Sequence, residues 1–249
     1  MNRLILAVAL FALPLPALAQ ANAELIAKGR ALFNDTAVSG TGQHSCATCH
    51  PMNGHTDNKT YVGVEVVADG TTAAGRSTPT LWGAGSRQAQ WSWAGTIPAI
   101  ETNIRGIIVN RMKGAEPSKE TLDALAAYVK SLPNPIAQFL NADGMPRDFA
   151  PADVKRGFAI FSGKGGCMTC HLPASYDKKD VEDVGSGGPF KVPSLRSVSK
   201  TAPYFHDGRF KTLEEAATFM FEFHAKKTSS DAKLSDTERN DLVAFLRAL

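Results

Sequence analysis

Two runs of apolar residues with helical spacing close the two halves of this chain. The first comprises Leu122, Leu125, Tyr128, Val129 and Leu132, and the second comprises Leu242, Phe245, Leu246 and Leu249. A recurrence near every 3.6 residues is typical of an amphipathic helix that buries one face. Ser118 and Ser235 stand where these helices begin and are predicted N-caps, with Ser235 and Glu238 forming a capping box. We therefore predict one amphipathic helix at the end of each half.

A second pattern, Gly-x-Ala-x-Phe, begins each half. It occurs at residues 29–33 and 157–161, in stretches whose apolar spacing also predicts short amphipathic helices. A Pro-x-Leu step follows further along each half, at residues 79–81 and 193–195. Self-similarity of this kind predicts two related, mainly α-helical units, in each of which the closing helix crosses the opening helix. Two unrelated helical segments are the alternative interpretation.

The long stretches between the predicted helices are rich in glycine, serine, threonine and aspartate. They cover about residues 53–92 and 172–203. This composition predicts irregular loops, and scattered apolar residues such as Val66 and Leu81 are expected to anchor the first of them onto the protein.

A further stretch, residues 133–151, is punctuated by prolines and glycine and predicts a crossover between domains. We place the boundary near residue 140. The predicted domains are then residues 20–140 and residues 141–249.

The chain begins with the features of a secretory leader over residues 1–19. Arg3 precedes an apolar run from Leu4 to Leu13, and Ala17-Leu18-Ala19 is a small-x-small cleavage signal. The run is too short to span a bilayer, and no later stretch approaches the roughly 20 apolar residues that a transmembrane helix needs. We expect a mature periplasmic protein without a membrane span; an uncleaved anchor is the alternative.

Length and charge narrow the function classes. The chain has 249 residues and a formal net charge of +3, and after the leader it is long enough for two domains of about 100 residues each. Lysines and arginines are scattered among acidic residues instead of clustering, so nucleic-acid binding is not expected. A mild positive charge is compatible with weak docking of a small redox protein.

All four cysteines lie in two copies of one pentapeptide. These are Cys46-Ala47-Thr48-Cys49-His50 and Cys167-Met168-Thr169-Cys170-His171. In C-x-x-C-H the two thiols are spaced to attach covalently to one porphyrin, and the histidine that follows ligates its iron. We therefore predict two haem c groups, tethered by the four cysteines and ligated by His50 and His171. A thioredoxin-like redox pair or a shared four-thiolate zinc site would leave the repeated histidine without a role.

Three segments of the C-terminal half, residues 192–198, 201–210 and 213–216, carry a family resemblance. Val-Pro-Ser-Leu-Arg-Ser-Val is followed by Thr-Ala-Pro-Tyr-Phe-His-Asp-Gly-Arg-Phe and Leu-Glu-Glu-Ala. This pattern resembles the bacterial dihaem cytochrome c peroxidase and MauG superfamily, and the resemblance extends from about residue 25 to the end. It implies a mainly α fold of two cytochrome c-like helical domains, each binding one covalent haem c.

The resemblance also implies roles for a methionine and a tryptophan. In the peroxidases the C-terminal haem takes a methionine as its second axial ligand, and Met220, fourteen residues after His206, occupies the matching place. A thioether opposite an imidazole favours ferrous iron and fills the sixth site, which suits electron transfer. Trp93 matches the tryptophan that the family places between its haems, and it is the candidate electron relay.

The N-terminal haem departs from the family pattern. In the peroxidases it is the reactive site and has a displaceable histidine and a distal glutamate. Here no histidine follows His55 until His171, and the matching region, residues 109–113, contains no acid. Met112 is a candidate sixth ligand; Met52, His55, and an open or water-bound site are the alternatives.

Calcium and propionate partners are also suggested. The family binds calcium between its domains; Thr201 and Pro203 match two of the ligand positions, while Ser77 replaces the usual asparagine, so calcium is an open expectation. Arg76, Arg105 and Arg196 are candidate partners of haem propionates, with solvated surface charges as the alternative.

The leading functional expectation is a periplasmic dihaem electron-transfer cytochrome. The His171/Met220 haem would exchange electrons with a small cytochrome c or cupredoxin. The alternative is an enzyme that acts at the N-terminal haem, either a divergent cytochrome c peroxidase or a MauG-like oxidoreductase. A missing distal acid counts against ordinary peroxidase chemistry, because O–O cleavage then lacks a positioned proton carrier.

Overall fold

The computed structural model describes residues 17–88 and 90–249. The predicted leader therefore lies outside the described residues except for its last three, which begin the first helix. Within these residues no helix is long and apolar enough to cross a membrane.

The fold is mainly helical, as the sequence pattern predicts. The α-helices are α1 Ala17–Asn34, α2 Cys46–Cys49, α3 Pro51–Gly54, α4 Ile100–Gly106, α5 Lys119–Ser131, α6 Ala152–Ser162, α7 Leu213–Lys227 and α8 Asp236–Ala248. A π-helical turn, Ile107–Arg111, continues α4. The single turn α3 contains two residues with positive φ, Met52 at 48° and Asn53 at 56°.

The two closing helices begin at the serines predicted as N-caps. In α5 the hydroxyl of Ser118 accepts a hydrogen bond from the Thr121 amide at 3.2 Å. In α8 the Ser235 hydroxyl accepts from the Glu238 amide at 3.3 Å, and the Ser235 amide donates to the Glu238 carboxylate at 2.9 Å. The capping box is confirmed, and it satisfies amides that have no partner inside the helix.

A glycine at each helix crossing explains the repeated Gly-x-Ala-x-Phe pattern. The opening and closing helices pack together in both halves, α1 against α5 and α6 against α8. A Cβ atom on Gly29 would lie 1.9 Å from the carbonyl oxygen of Ala124, and one on Gly157 would lie 1.9 Å from that of Asp241. Only glycine therefore permits this approach of the two backbones.

The phenylalanine of the same pattern packs beside the crossing. Phe33 contacts Tyr128 with ring centroids 5.1 Å apart, and Phe161 contacts Phe245 at the same distance. Phe33 and Phe161 are 2 % and 1 % exposed. Each copy of the repeated pattern thus forms the same kind of crossing between an opening and a closing helix.

Replacing Gly157 with alanine should destabilise the C-terminal half. The added methyl would overlap the Asp241 carbonyl and force α6 away from α8, at a cost of about 2–3 kcal/mol. Chemical unfolding followed by circular dichroism measures this loss. Gly106→Ala is the matched control: Gly106 is helical and has only Asn110 within 4 Å of its Cβ position, so alanine there should be neutral or slightly stabilising. Equal losses in both variants would contradict the crossing argument.

The predicted loops contain short strands that the sequence pattern does not reveal. Strands β1 Thr60–Val62, β2 Glu65–Val67 and β3 Arg76–Ser77 form an antiparallel sheet in the order β2-β1-β3. Strands β4 Val181–Asp183 and β5 Pro189–Lys191 pair antiparallel. Runs of two or three residues are too short to show an alternating pattern. Val66 is 56 % exposed, so its predicted role as an apolar anchor is wrong.

Each half has its own apolar core. One core is built on Phe33 and Leu125, and the other on Phe161 and Phe245. Leu140 also packs into the second core. The domain boundary near residue 140 stays a prediction.

Main-chain hydrogen bonds join the two halves. The Ser77 amide donates to the His206 carbonyl at 2.7 Å, and the Gly70 amide donates to the Asp207 carbonyl at 2.8 Å. The irregular loop of the N-terminal half therefore lies on the His-Asp-Gly segment of the C-terminal half.

Candidate haem sites

The N-terminal motif forms one helical turn that ends at its histidine. The Ser45 amide donates to the Thr48 hydroxyl at 2.9 Å and caps the turn α2. The Nδ1 atom of His50 lies 3.2 Å from the carbonyl oxygen of His55. Because a carbonyl only accepts, Nδ1 carries the hydrogen, and Nε2 is left as the metal-binding atom. Burial lowers the pKa of His50 to about 4, so the ring is in the neutral form that iron binds.

The C-terminal motif has the same arrangement. The Nδ1 atom of His171 lies 2.9 Å from the carbonyl oxygen of Tyr176, again five residues further along the chain. Burial lowers the pKa of His171 as well. Each proximal ring is thus oriented by a backbone carbonyl. Sequence reasoning missed these carbonyl acceptors because every residue type has a main-chain carbonyl.

A single cavity brings the C-terminal site together. Its volume is about 580 Å³, and its lining includes Cys167, Cys170, His171, Met220 and Trp93. This is the size of a pocket for a small organic ligand (roughly 300–1,000 Å³). Two thiols, a neutral imidazole and a thioether around one mostly apolar cavity fit a covalently bound haem with two axial ligands.

Helix α7 contributes a second side chain to this cavity that the sequence interpretation did not consider. His224 lies one turn after Met220, lines the same cavity, and packs against Gly166 just before Cys167. The signal available in the sequence was the spacing of four residues, which places both side chains on one helix face.

Met112 lies at the end of the π-helical turn in the N-terminal half. It is 6 % exposed, and its amide donates to the Ile107 carbonyl at 2.9 Å. The charge of its neighbour Arg111 acts on both Cys49 and His50. The segment that carries Met112 therefore lies close to the N-terminal haem motif, and π-helical turns occur frequently at functional sites.

His55 and Met52, the other proposed ligands, are placed differently. The ring of His55 is buried and stacks on Trp82 with centroids 3.9 Å apart. Its Nδ1 lies 2.9 Å from the Thr80 hydroxyl and its Nε2 lies 3.1 Å from the Lys200 carbonyl, so both nitrogens are engaged. The Met52 residue is 67 % exposed. The sixth ligand of the N-terminal haem stays a prediction, with Met112 as the candidate and His55, Met52 and an open or water-bound site as the alternatives.

Trp93 is held by both halves of the chain. Its indole N–H donates to the Ser77 carbonyl at 2.8 Å, and its own carbonyl accepts from the Lys191 amide at 2.9 Å. The edge of the indole faces the His206 ring at a centroid distance of 6.5 Å. The tryptophan thus lies between the halves and against the C-terminal cavity.

The residues matched to calcium ligands lie together at the junction of the halves. Ser77, Thr201 and Pro203 all line the C-terminal cavity. The Ser77 hydroxyl donates directly to the Pro203 carbonyl at 3.0 Å, so these two groups satisfy each other. Calcium binding at the three residues stays a prediction.

The three arginines suggested as propionate partners have other contacts. Arg105 forms a bidentate ion pair with Glu116 at the surface. Arg196 lies over the ring of Tyr176 at 5.5 Å, and Arg76 lies over that of Phe190 at 5.4 Å. None of the three lines the C-terminal cavity.

Two haem c motifs with oriented proximal histidines, in a helical fold with a repeated helix crossing, define a dihaem c-type redox protein. Residues 23–142 match the di-haem cytochrome c peroxidase family, and residues 154–249 match the cytochrome c family. The chain belongs to the di-haem cytochrome c peroxidase and MauG family, and it binds haem c covalently.

Individual relatives support this assignment. The chain is 30 % identical to the methylamine utilization protein MauG of Methylorubrum extorquens, over 91 % of this chain and 78 % of that protein. It is 25 % identical to the cytochrome c peroxidase Ccp of Escherichia coli, over 95 % of this chain but only 60 % of the relative. The crystal structure of the diheme peroxidase BthA from Burkholderia thailandensis has the same fold, with a TM-score of 0.70 at 17 % identity over 91 % of this chain and 86 % of that chain.

Proposed function

We propose that this protein is a periplasmic dihaem electron-transfer cytochrome in which the C-terminal haem is the electron port. The observation that carries the proposal is the shared cavity: His171, Met220 and Trp93 line one space beside Cys167 and Cys170. Bound haem supplies one-electron chemistry at this site. The chain supplies the ligands and a connection to the other half.

Met220 gives the port its electron-transfer character. Met220 and His171 would together hold the iron of a bound haem, and a thioether ligand would favour ferrous iron and raise the reduction potential. With both Met220 and His171 bound to the iron, no position would be left for a substrate. The hydrogen bond of 2.9 Å from His171 Nδ1 to the Tyr176 carbonyl keeps the ring oriented during the redox change.

Met112 is proposed as the sixth ligand of the N-terminal haem. Its burial and the closeness of Arg111 to Cys49 support this assignment. The engagement of both His55 nitrogens weakens His55 as an alternative ligand. The N-terminal haem would then store or relay an electron and have no open site.

The partner in this proposal is a small periplasmic redox protein, either a cytochrome c or a cupredoxin. The absence of a membrane-spanning helix within residues 17–88 and 90–249 is compatible with such an encounter. Electrons would enter or leave through the C-terminal haem and would pass between this haem and the N-terminal haem by way of Trp93.

Replacing Trp93 with leucine tests the proposed relay. We expect electron transfer between the haems to slow several-fold, because the indole bridges the apolar gap between the halves. Stopped-flow reduction with separate detection of the two haems measures the rate. Trp91→Leu is the control, since Trp91 packs against the N-terminal core and should leave the rate unchanged. An unchanged rate in Trp93→Leu would remove Trp93 from the pathway.

The second candidate is an oxidoreductase that acts at the N-terminal haem. The likeness to MauG and to cytochrome c peroxidases over more than nine-tenths of the chain favours it. Fold ancestry alone does not establish the chemistry. Peroxide consumption with a reduced small cytochrome as donor, above that of free haem, would favour this candidate over the first.

A further inference from the structure

Two cationic side chains from different halves of the chain lie in the cavity of the C-terminal motif. Arg87 and Lys191 line the same space as Cys167, Cys170 and His171. Arg87 follows the N-terminal Pro-x-Leu step, and Lys191 ends strand β5. Neither residue belongs to the set that sequence reasoning linked to haem propionates.

The guanidinium of Arg87 is only partly engaged. One nitrogen, Nη2, donates to the Thr80 and Trp82 carbonyls, each at 2.7 Å. The Nε atom is fully buried and has no hydrogen-bond partner among the described residues. Burial lowers the pKa of Arg87 to about 10, so the group remains charged at neutral pH. A buried N–H without an acceptor in the protein is free to donate to water or to a bound anion.

Lys191 is anchored through its main chain, and its ammonium group has no hydrogen bond or ion pair within residues 17–88 and 90–249. Its amide donates to the Trp93 carbonyl at 2.9 Å, and the residue is 9 % exposed. Its Nζ atom lies 5.8 Å from the centroid of the Trp93 ring. Burial, together with the positive charge of Arg87, lowers the pKa of Lys191 to about 7. A carboxylate beside it would reverse this effect by favouring the charged form.

The acids around the cavity do not balance these two cations. Asp177 is fully buried and raises the pKa of both Arg87 and Lys191. Glu182 also lines the cavity but pairs with Lys178 at 2.5 Å. Arg87 and Lys191 thus bring two positive charges near the single negative charge of Asp177, and an uncompensated buried charge is costly.

We propose that Arg87 and Lys191 together bind a carboxylate of the C-terminal haem, one of its two propionates. The propionates are the anionic groups of a haem, and they supply the negative charge that this part of the cavity lacks. The buried Nε–H of Arg87 and the ammonium group of Lys191 are donors suited to a carboxylate. Because the donors come from different halves, the same contact also ties the halves together.

Redox titration of the protein with both haems attached tests whether the charge of Lys191 compensates that of the propionate. In Lys191→Met the propionate loses its compensating cation, and its negative charge then favours ferric iron. At a fixed potential the ratio of ferrous to ferric C-terminal haem should fall about tenfold, equivalent to 59 mV for one electron. Lys191→Arg keeps the charge and should restore most of the ratio. Lys227→Met is the control, because Lys227 lines the same cavity but is 57 % exposed and screened by solvent.

A double-mutant cycle tests whether one carboxylate is shared. If Arg87 and Lys191 bind the same group, the shifts in Arg87→Met and Lys191→Met should not add in the double variant. Should Lys191→Met fail to fold, Lys191→Gln serves in the same cycle. Additive shifts, no shift, or a shift equal to that of Lys227→Met would overturn the proposal. A potential in the unmodified protein that changes with added acetate at constant ionic strength would assign the site to a soluble anion and would also overturn it.

Discussion

Replacing Met220 with leucine should convert the C-terminal haem from a closed low-spin centre to an open high-spin centre. Leucine matches the volume of methionine, so the packing of α7 is retained, but the thioether ligand is lost. Electron paramagnetic resonance of the oxidised protein should gain a high-spin signal, and cyanide should bind at once. The reduction potential should fall by on the order of 100 mV, because axial ligation is a main determinant of haem potentials.

His224 provides the matched control for this experiment. It lies one turn from Met220 in the same cavity, so His224→Leu perturbs the same helix without removing the thioether. We expect the potential and the spin state of His224→Leu to resemble those of the unmodified protein. If His224→Leu opens the haem and Met220→Leu does not, the sixth ligand is His224. If neither variant opens it, the electron-port assignment is wrong.

The helices and their crossings were predictable because their signals are local. A capping serine, such as Ser235, and the recurrence of apolar residues every 3.6 positions are both features of a single helix. The glycine pattern was visible at positions 29 and 157, but its cause was not. Only the structure shows that each glycine faces a carbonyl of the closing helix, since that carbonyl lies 95 residues further along the chain for Gly29 and 84 for Gly157.

The haem motifs were predictable for the same reason, since C-x-x-C-H is contiguous. The rest of each site depends on contacts between groups that have no characteristic spacing in the sequence. The carbonyl acceptors at His55 and Tyr176 are main-chain groups, which every residue possesses. Arg87 and Lys191 are about a hundred residues apart and meet only because the loops of the two halves pack together. The propionate partners predicted from the sequence rested on the suitability of a guanidinium group for carboxylates, and Arg105 instead pairs with Glu116 at the surface.

Replacing Met112 with leucine should open the N-terminal haem and leave the fold intact. Methionine to leucine conserves volume, so the free energy of unfolding should change by less than about 1.5 kcal/mol even though the site is 6 % exposed. The oxidised protein should then gain a high-spin signal from the N-terminal haem and bind cyanide without delay. Met52→Leu is the control. Because Met52 is 67 % exposed, this variant should leave the spin state and the cyanide binding of the N-terminal haem unchanged.

The same variant separates the two functional candidates. If Met112 closes the site, Met112→Leu should admit peroxide to the N-terminal iron, but turnover should stay low because residues 109–113 provide no carboxylic acid for proton transfer. If the unmodified protein already shows an open, cyanide-binding N-terminal haem, or if Met112→Leu leaves its spectra unchanged, Met112 is not the ligand. Rapid peroxide turnover by the unmodified protein would then favour the oxidoreductase candidate. The proton carrier would in that case be a group other than a carboxylic acid of residues 109–113.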